Sequence, residues 1–93
     1  VLDAQQVLHN PRKALAALCD RLGLPFRLEM LSWPPGPRDS DGAWAPWWYD
    51  SVWSSTGFVR WTPRKGTVPD HLEEVLEQCR PLYDELKTYS IEV

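Results

Sequence analysis

A mainly α chain, three to four helices joined by a Trp/Pro-rich loop, is predicted by three observations. Apolar residues recur at helical spacing near both ends of the chain. Cap residues and helix breakers bracket those stripes. Between them lies a stretch dense in Trp, Pro, Gly and Asp that lacks the alternation of a strand pair.

The elements follow in order. Asp3 is placed to cap a short helix over Ala4 to Leu8. Asn10-Pro11 starts a second helix, with Asn at the N-cap and Pro in the first helical position. Ala14, Leu15, Leu18, Cys19 and Leu22 form its apolar stripe, Gly23 ends it and Pro25 prevents its resumption. Residues 26–31 suit one helical turn. Trp33 to Gly42 is a loop, because its prolines remove backbone donors and its Gly and Asp favour turns. Trp33 and Trp44 bracket it and are expected to pin its ends. A third helix is expected from Pro46 to about Thr56, with Gly57 past its end and Phe58 packed back on Trp53. The last helix is expected to start around Val68-Pro69. It carries Leu72, Val75, Leu76, Cys79, Leu82, Tyr83 and Leu86 on one stripe, with Pro81 inside it. The second and last helices are expected to pack together through Leu15, Leu18, Leu22, Leu76, Cys79 and Tyr83.

Composition narrows the function classes. The chain has 93 residues, enough for one small domain or a piece of a larger one. Nine prolines are about twice the usual share of roughly 5%. Ten Lys and Arg stand against thirteen Asp and Glu, a net charge of −3, which is the wrong sign for general nucleic-acid binding. No apolar run reaches membrane-spanning length, so neither nucleic acid nor a membrane is an expected partner. Cys19 and Cys79 fall on helical stripes. They read as small buried hydrophobes in a reducing, cytoplasmic setting. The chain opens on Val1 rather than Met, as expected of a processed chain or one excised from a longer protein. Val1-Leu2 suits the end of a buried strand.

Most catalytic constellations are absent. The sequence has no glycine-rich phosphate loop, and His9 and His71 are not paired with cysteines at zinc spacing, so no metal is expected. No serine sits on a nucleophile elbow, and no catalytic residue is assigned. Asp50, between aromatics, is either a base or a helix-surface carboxylate. Two basic clusters remain. Arg12-Lys13 lies in the first turn of a helix, where cations are unfavourable unless they hold an anion. Arg64-Lys65-Gly66 combines a guanidinium, an ammonium and a flexible residue ahead of the last helix, which suits a phosphate.

Three stretches together resemble the P-loop sulfotransferase family. They are Asn10-Pro11 through Leu18-Cys19, Leu22-Gly23-Leu24-Pro25-Phe26; then Met30 to Pro37 with Asp41 to Val52, continued by Ser55 to Phe58; and Arg80-Pro81-Leu82-Tyr83 with Leu86. The Trp33-Pro34-Pro35-Gly36-Pro37 and Trp44-Ala45-Pro46-x-Trp48-Tyr49-Asp50 runs resemble a sulfotransferase-like branch, some of whose plant members are fused to an aminotransferase-like domain. The resemblance implies a parallel sheet flanked by helices. It also implies transfer of a sulfonyl group from 3′-phosphoadenosine 5′-phosphosulfate to a hydroxyl or amine. The family's phosphosulfate loop and general base lie on segments that do not match here. The chain therefore resembles the C-terminal, helical part of such a domain, whose partner is the rest of that domain.

One match bears on the nucleotide. Arg64-Lys65-Gly66-Thr67-Val68-Pro69-Asp70-His71 resembles the family's R-K-G-x-x-G-D-W grip on the 3′-phosphate, with Pro69 in place of Gly and His71 in place of Trp. Arg64, Lys65 and Gly66 are the nucleotide-binding candidates that the resemblance implies. Trp44, Trp48, Tyr49 and Asp50 are the candidate contacts to a small-molecule acceptor. The alternative reading is a Trp-rich helical interaction module without catalysis.

Overall fold

A computed structural model describes residues 1–93. Five α-helices follow in chain order: α1 (Ala4–His9), α2 (Pro11–Leu22), α3 (Ala45–Trp48), α4 (Asp50–Ser54) and α5 (Glu73–Thr88), with 3-10 turns at Leu28–Leu31 and Asp70–Leu72. The first two helices form as their caps dictate. The Asp3 carboxylate accepts from the Gln5 N–H at 2.8 Å, and the Asn10 side chain accepts from the Lys13 N–H at 3.1 Å. Gly23 ends α2 in the left-handed region, at φ 66°. The α1–α2 corner is folded tightly enough to bury Ala14 completely. Cys19 is buried too, its thiol 3.9 Å from the Met30 sulfur in the 3-10 turn.

The aromatic segment departs from the expected single helix. It breaks at Tyr49 into two short helices, and its end at Ser55 is extended rather than left-handed. Phe58 accordingly packs on Trp33, edge to face at 5.3 Å, and not on Trp53. The extended exit lets residues 56 and 57 run back beside Ser32 and Trp33. The Trp33 N–H donates to the Thr56 carbonyl at 3.0 Å, and Ser32 and Gly57 form an antiparallel bridge. An alanine methyl at Gly57 would stand 3.1 Å from the Leu31 carbonyl oxygen, so the close approach suits glycine.

The Pro-rich loop is held at both ends, though not by the expected pair. Trp33 does pin one end: its indole donates to Ser55 Oγ at 2.9 Å. At the other end Trp53 takes the role assigned to Trp44, donating to Asp41 Oδ2 at 2.8 Å. The Gly36 N–H donates to the Trp53 carbonyl at 2.7 Å, and the Arg38 guanidinium folds back on the Pro34 and Gly36 carbonyls. Indole donors and backbone pairs thus replace the donors that the prolines lack.

The last helix is continuous through Pro81, whose missing N–H leaves the Glu77 carbonyl without its usual donor. Regular α structure begins only at Glu73, after the 3-10 turn. No α2–α5 packing forms: α2 lies against α1 and the Leu28–Leu31 turn. Leu72, Val75, Leu82, Tyr83 and Leu86 are exposed, and so is Cys79, which the stripe placed in a core. The two ends of the chain meet instead. The Ile91 N–H donates to the Val1 carbonyl at 3.0 Å, and Tyr83 Oη donates to Asp3 Oδ2, also at 3.0 Å.

The accessible surface is 8246 Å², and only Ala14, Cys19 and Ala45 are buried. A folded monomer of this mass exposes about 5,500 Å². The radius of gyration, 16.6 Å, likewise exceeds the roughly 12 Å of a self-contained chain of this length. The apolar stripe of α5 is a helical face prepared for burial that the chain itself does not cover. No helix is long and apolar enough to cross a membrane.

Candidate functional site

Arg64, Lys65 and Gly66 lie in an exposed, irregular segment between Trp61 and the 3-10 turn. Gly66 has φ 138°, a conformation that side-chain-bearing residues resist, and nothing lies within 4 Å of where a Cβ would stand. The backbone there is open to close approach by a ligand. Arg64 and Lys65 form no ion pair; the chain's salt bridge is Arg80 with Glu77. Two unpaired cations beside an open glycine fit a phosphate group. The helical contribution is weaker than the sequence suggests. Asp70 follows Pro69 directly, Glu73 and Glu74 occupy the first turn of α5, and these carboxylates already sit at the positive end of the helix.

The structure adds a residue that the sequence reading missed. Arg64 shares a cleft of about 520 Å³ with Leu8, Val59 and Trp61. Trp61 also lines a second cleft, of about 380 Å³, with Leu2, Asp3, Tyr83 and Leu86. This half-buried indole therefore stands between the basic segment and the junction of α1 with α5. Position alone could have raised it, three residues before Arg64, but nothing in its spacing separates it from the other five tryptophans.

The acceptor candidates occupy another part of the chain. Trp44, the N-cap of α3, and Trp48, its last residue, are one helical turn apart, 74% and 77% exposed. Trp47, which the sequence reading did not single out, stands beside them at 75%. Residues i, i+3 and i+4 share a helix face, so the three indoles form an aromatic turn directed outward. Tyr49 turns away from them toward Trp53, edge to face at 6.4 Å. Asp50 is exposed in the first turn of α4, where a carboxylate suits the helix end. It is Trp61, not Trp44 or Trp48, that shares a cleft with Arg64.

Two carboxylates are electrostatically distinct. The Arg38 backbone N–H, and after it the Trp53 indole, hold the Asp41 carboxyl below its usual range. The Gln5 N–H, and after it the Tyr83 hydroxyl, do the same to Asp3. The bond to Asp3 and its negative charge push Tyr83 up in turn. Donors to the charged form account for the two carboxylate shifts, and a bond made by the neutral hydroxyl beside a negative charge accounts for the tyrosine's.

A model of the sulfotransferase domain matches residues 1–90, and the chain belongs to that family. Among relatives, it is similar to branched-chain-amino-acid aminotransferase-like protein 2 of Arabidopsis thaliana, 42% identical over 89 residues. Branched-chain-amino-acid aminotransferase-like protein 1 of the same plant is 44% identical over 91 residues. Each match covers 96% of this chain and 16% of the relative, so the chain spans about a sixth of their length. No solved structure matches.

Proposed function

We propose that residues 1–93 form the C-terminal helical part of a sulfotransferase domain. In this reading the whole domain transfers a sulfonyl group from 3′-phosphoadenosine 5′-phosphosulfate to a hydroxyl or amine of a small-molecule acceptor. The carrying observation is the uncovered surface: 8246 Å² exposed where about 5,500 Å² is expected. The apolar stripe of α5 is the face that would meet the rest of the domain. This chain's share of the chemistry is binding and orientation. Arg64 and Lys65 would hold the 3′-phosphate as charged donors, Gly66 would let the backbone approach it, and the α3 aromatic turn would meet the acceptor. The nucleotide supplies the sulfonyl group. The phosphosulfate loop and the base belong to the remainder of the domain, and the 93 residues alone are expected to catalyse nothing.

A titration with the 3′,5′-bisphosphate nucleotide tests this in the complete domain. Arg64→Ala should weaken binding by about 1.5–3 kcal/mol, the scale of hydrogen bonds to a charged group. The loss should shrink as salt rises, because the segment is exposed. Equal affinities of wild type and variant would remove Arg64 from the site. Turnover by residues 1–93 alone would overturn the assignment to a supporting part.

A further inference from the structure

A second cluster of basic residues lies outside this site. A cleft of about 420 Å³ runs between the α1–α2 corner and the end of α5. His9 at the end of α1 and Lys13 on α2, neighbours in sequence, line it together with Lys87 of the distant α5. Its one side-chain carboxylate, Asp3, accepts at Oδ1 from the Gln5 N–H and at Oδ2 from the Tyr83 hydroxyl, and its negative charge, which Lys87 also favours, leaves the two ammonium groups and His9 to set the balance of the cleft. No ion pair neutralises Lys13 or Lys87. Lys87 instead stands 6.0 Å over the Tyr83 ring.

The walls are otherwise polar: Gln5, Gln6 and Asn10, with Val93 the single apolar residue. Gln6 carries the chain's enclosed side-chain oxygen without a partner, Oε1. Arg12, next to Lys13 in sequence, lines a different cleft, with Leu31 and Phe58. The helix therefore separates the basic pair that the sequence places together, and only Lys13 joins this cavity.

We propose that this cleft is an oxyanion site, binding a phosphate or sulfate group through Lys13, Lys87 and His9. Charge assistance from two ammonium groups supplies the attraction, and the polar walls accept a hydrated, tetrahedral ligand. The proposal does not rest on the reading of Arg64 and Lys65, whose cleft is lined by other residues.

Calorimetric titration of the complete domain with sodium sulfate, and separately with sodium phosphate, tests it against sodium chloride of equal ionic strength. Saturable binding of either tetrahedral anion is expected, and the tighter one identifies the preferred oxyanion. Lys13→Gln with Lys87→Gln should raise Kd by at least about tenfold, the loss of charged donors. Both side chains are exposed, so the fold should survive, as circular dichroism can check. His9→Gln, on a separate helix, provides a second variant and should also weaken binding. The titration is run with saturating 3′,5′-bisphosphate nucleotide present, which fills the site proposed for Arg64 and Lys65, so that the remaining anion binding belongs to this cleft. Heats no different from chloride, or a Kd indifferent to the lysine pair and to His9, would overturn the proposal.

Discussion

The Trp53 indole donates to Asp41 Oδ2 at 2.8 Å, and the same oxygen accepts the Arg38 N–H at 2.8 Å. One carboxylate oxygen thus closes the Pro-rich loop on itself and ties it to α4. Twelve residues separate the two side chains, and the loop between them carries the aromatic turn of α3.

Acid should open this clasp. The folded Asp41 carboxyl is held below its ordinary value, so its contribution is complete above the unfolded range near about pH 4. It is lost as pH falls through the lower, folded value. Tryptophan fluorescence should report a reversible change on the acid side of about pH 4 that disappears in Asp41→Asn, which keeps an acceptor but does not titrate. An identical acid transition in that variant would assign it to another group.

Trp33 and Trp47 should behave oppositely when truncated. Trp33 is half-buried, paired with Phe58 and bonded to Ser55. Trp33→Ala should cost about 2–3 kcal/mol in denaturant unfolding, somewhat below the range for a fully buried aromatic. Trp47→Ala should change stability by no more than about 0.5 kcal/mol, as an exposed site does. If Trp47 contacts the acceptor, its loss appears in the acceptor KM instead.

Gly57→Ala should destabilise by about 1–3 kcal/mol, since the new methyl meets backbone that has no rotamer to yield. Gly42→Ala, with open space around it, is the matched control and should stay within about 0.5 kcal/mol. Equal melting temperatures for the two variants would mean that the Ser32–Gly57 bridge relaxes without cost.

Thiol labelling separates the uncovered face of α5 from the α1–α2 corner. Cys79 is exposed and Cys19 is buried. In residues 1–93 alone, Cys79 should react fast and Cys19 slowly. In the complete domain Cys79 should become protected, because its stripe meets the rest of the fold. Equal Cys79 rates in the two proteins would leave the face of α5 solvent-exposed in both.

The termini and caps of α1 and α2 were legible because they depend on neighbours in sequence. Asp3 caps Gln5, Asn10 caps Lys13, and Gly23 turns left-handed, whatever lies elsewhere. The apolar stripes were equally legible, since periodicity shows that a face is built for burial. It does not say against what. The stripes of α2 and α5 look complementary on paper, yet in the fold they do not meet.

Tertiary structure alone decided the pairings among aromatics and charges. Six tryptophans offer six similar donors, and sequence spacing does not choose between Trp44 and Trp53 as the partner of Asp41. The break at Tyr49 chooses, because it redirects the chain and carries Trp53 to the loop while leaving Trp44 outside. Trp61 came beside Arg64, and Lys13 into the cavity of Lys87, by the same kind of long-range placement. Local propensity acts over one turn of backbone; which side chains meet across dozens of residues depends on how the whole chain closes, and here its two ends close on each other through Val1, Asp3, Tyr83 and Ile91.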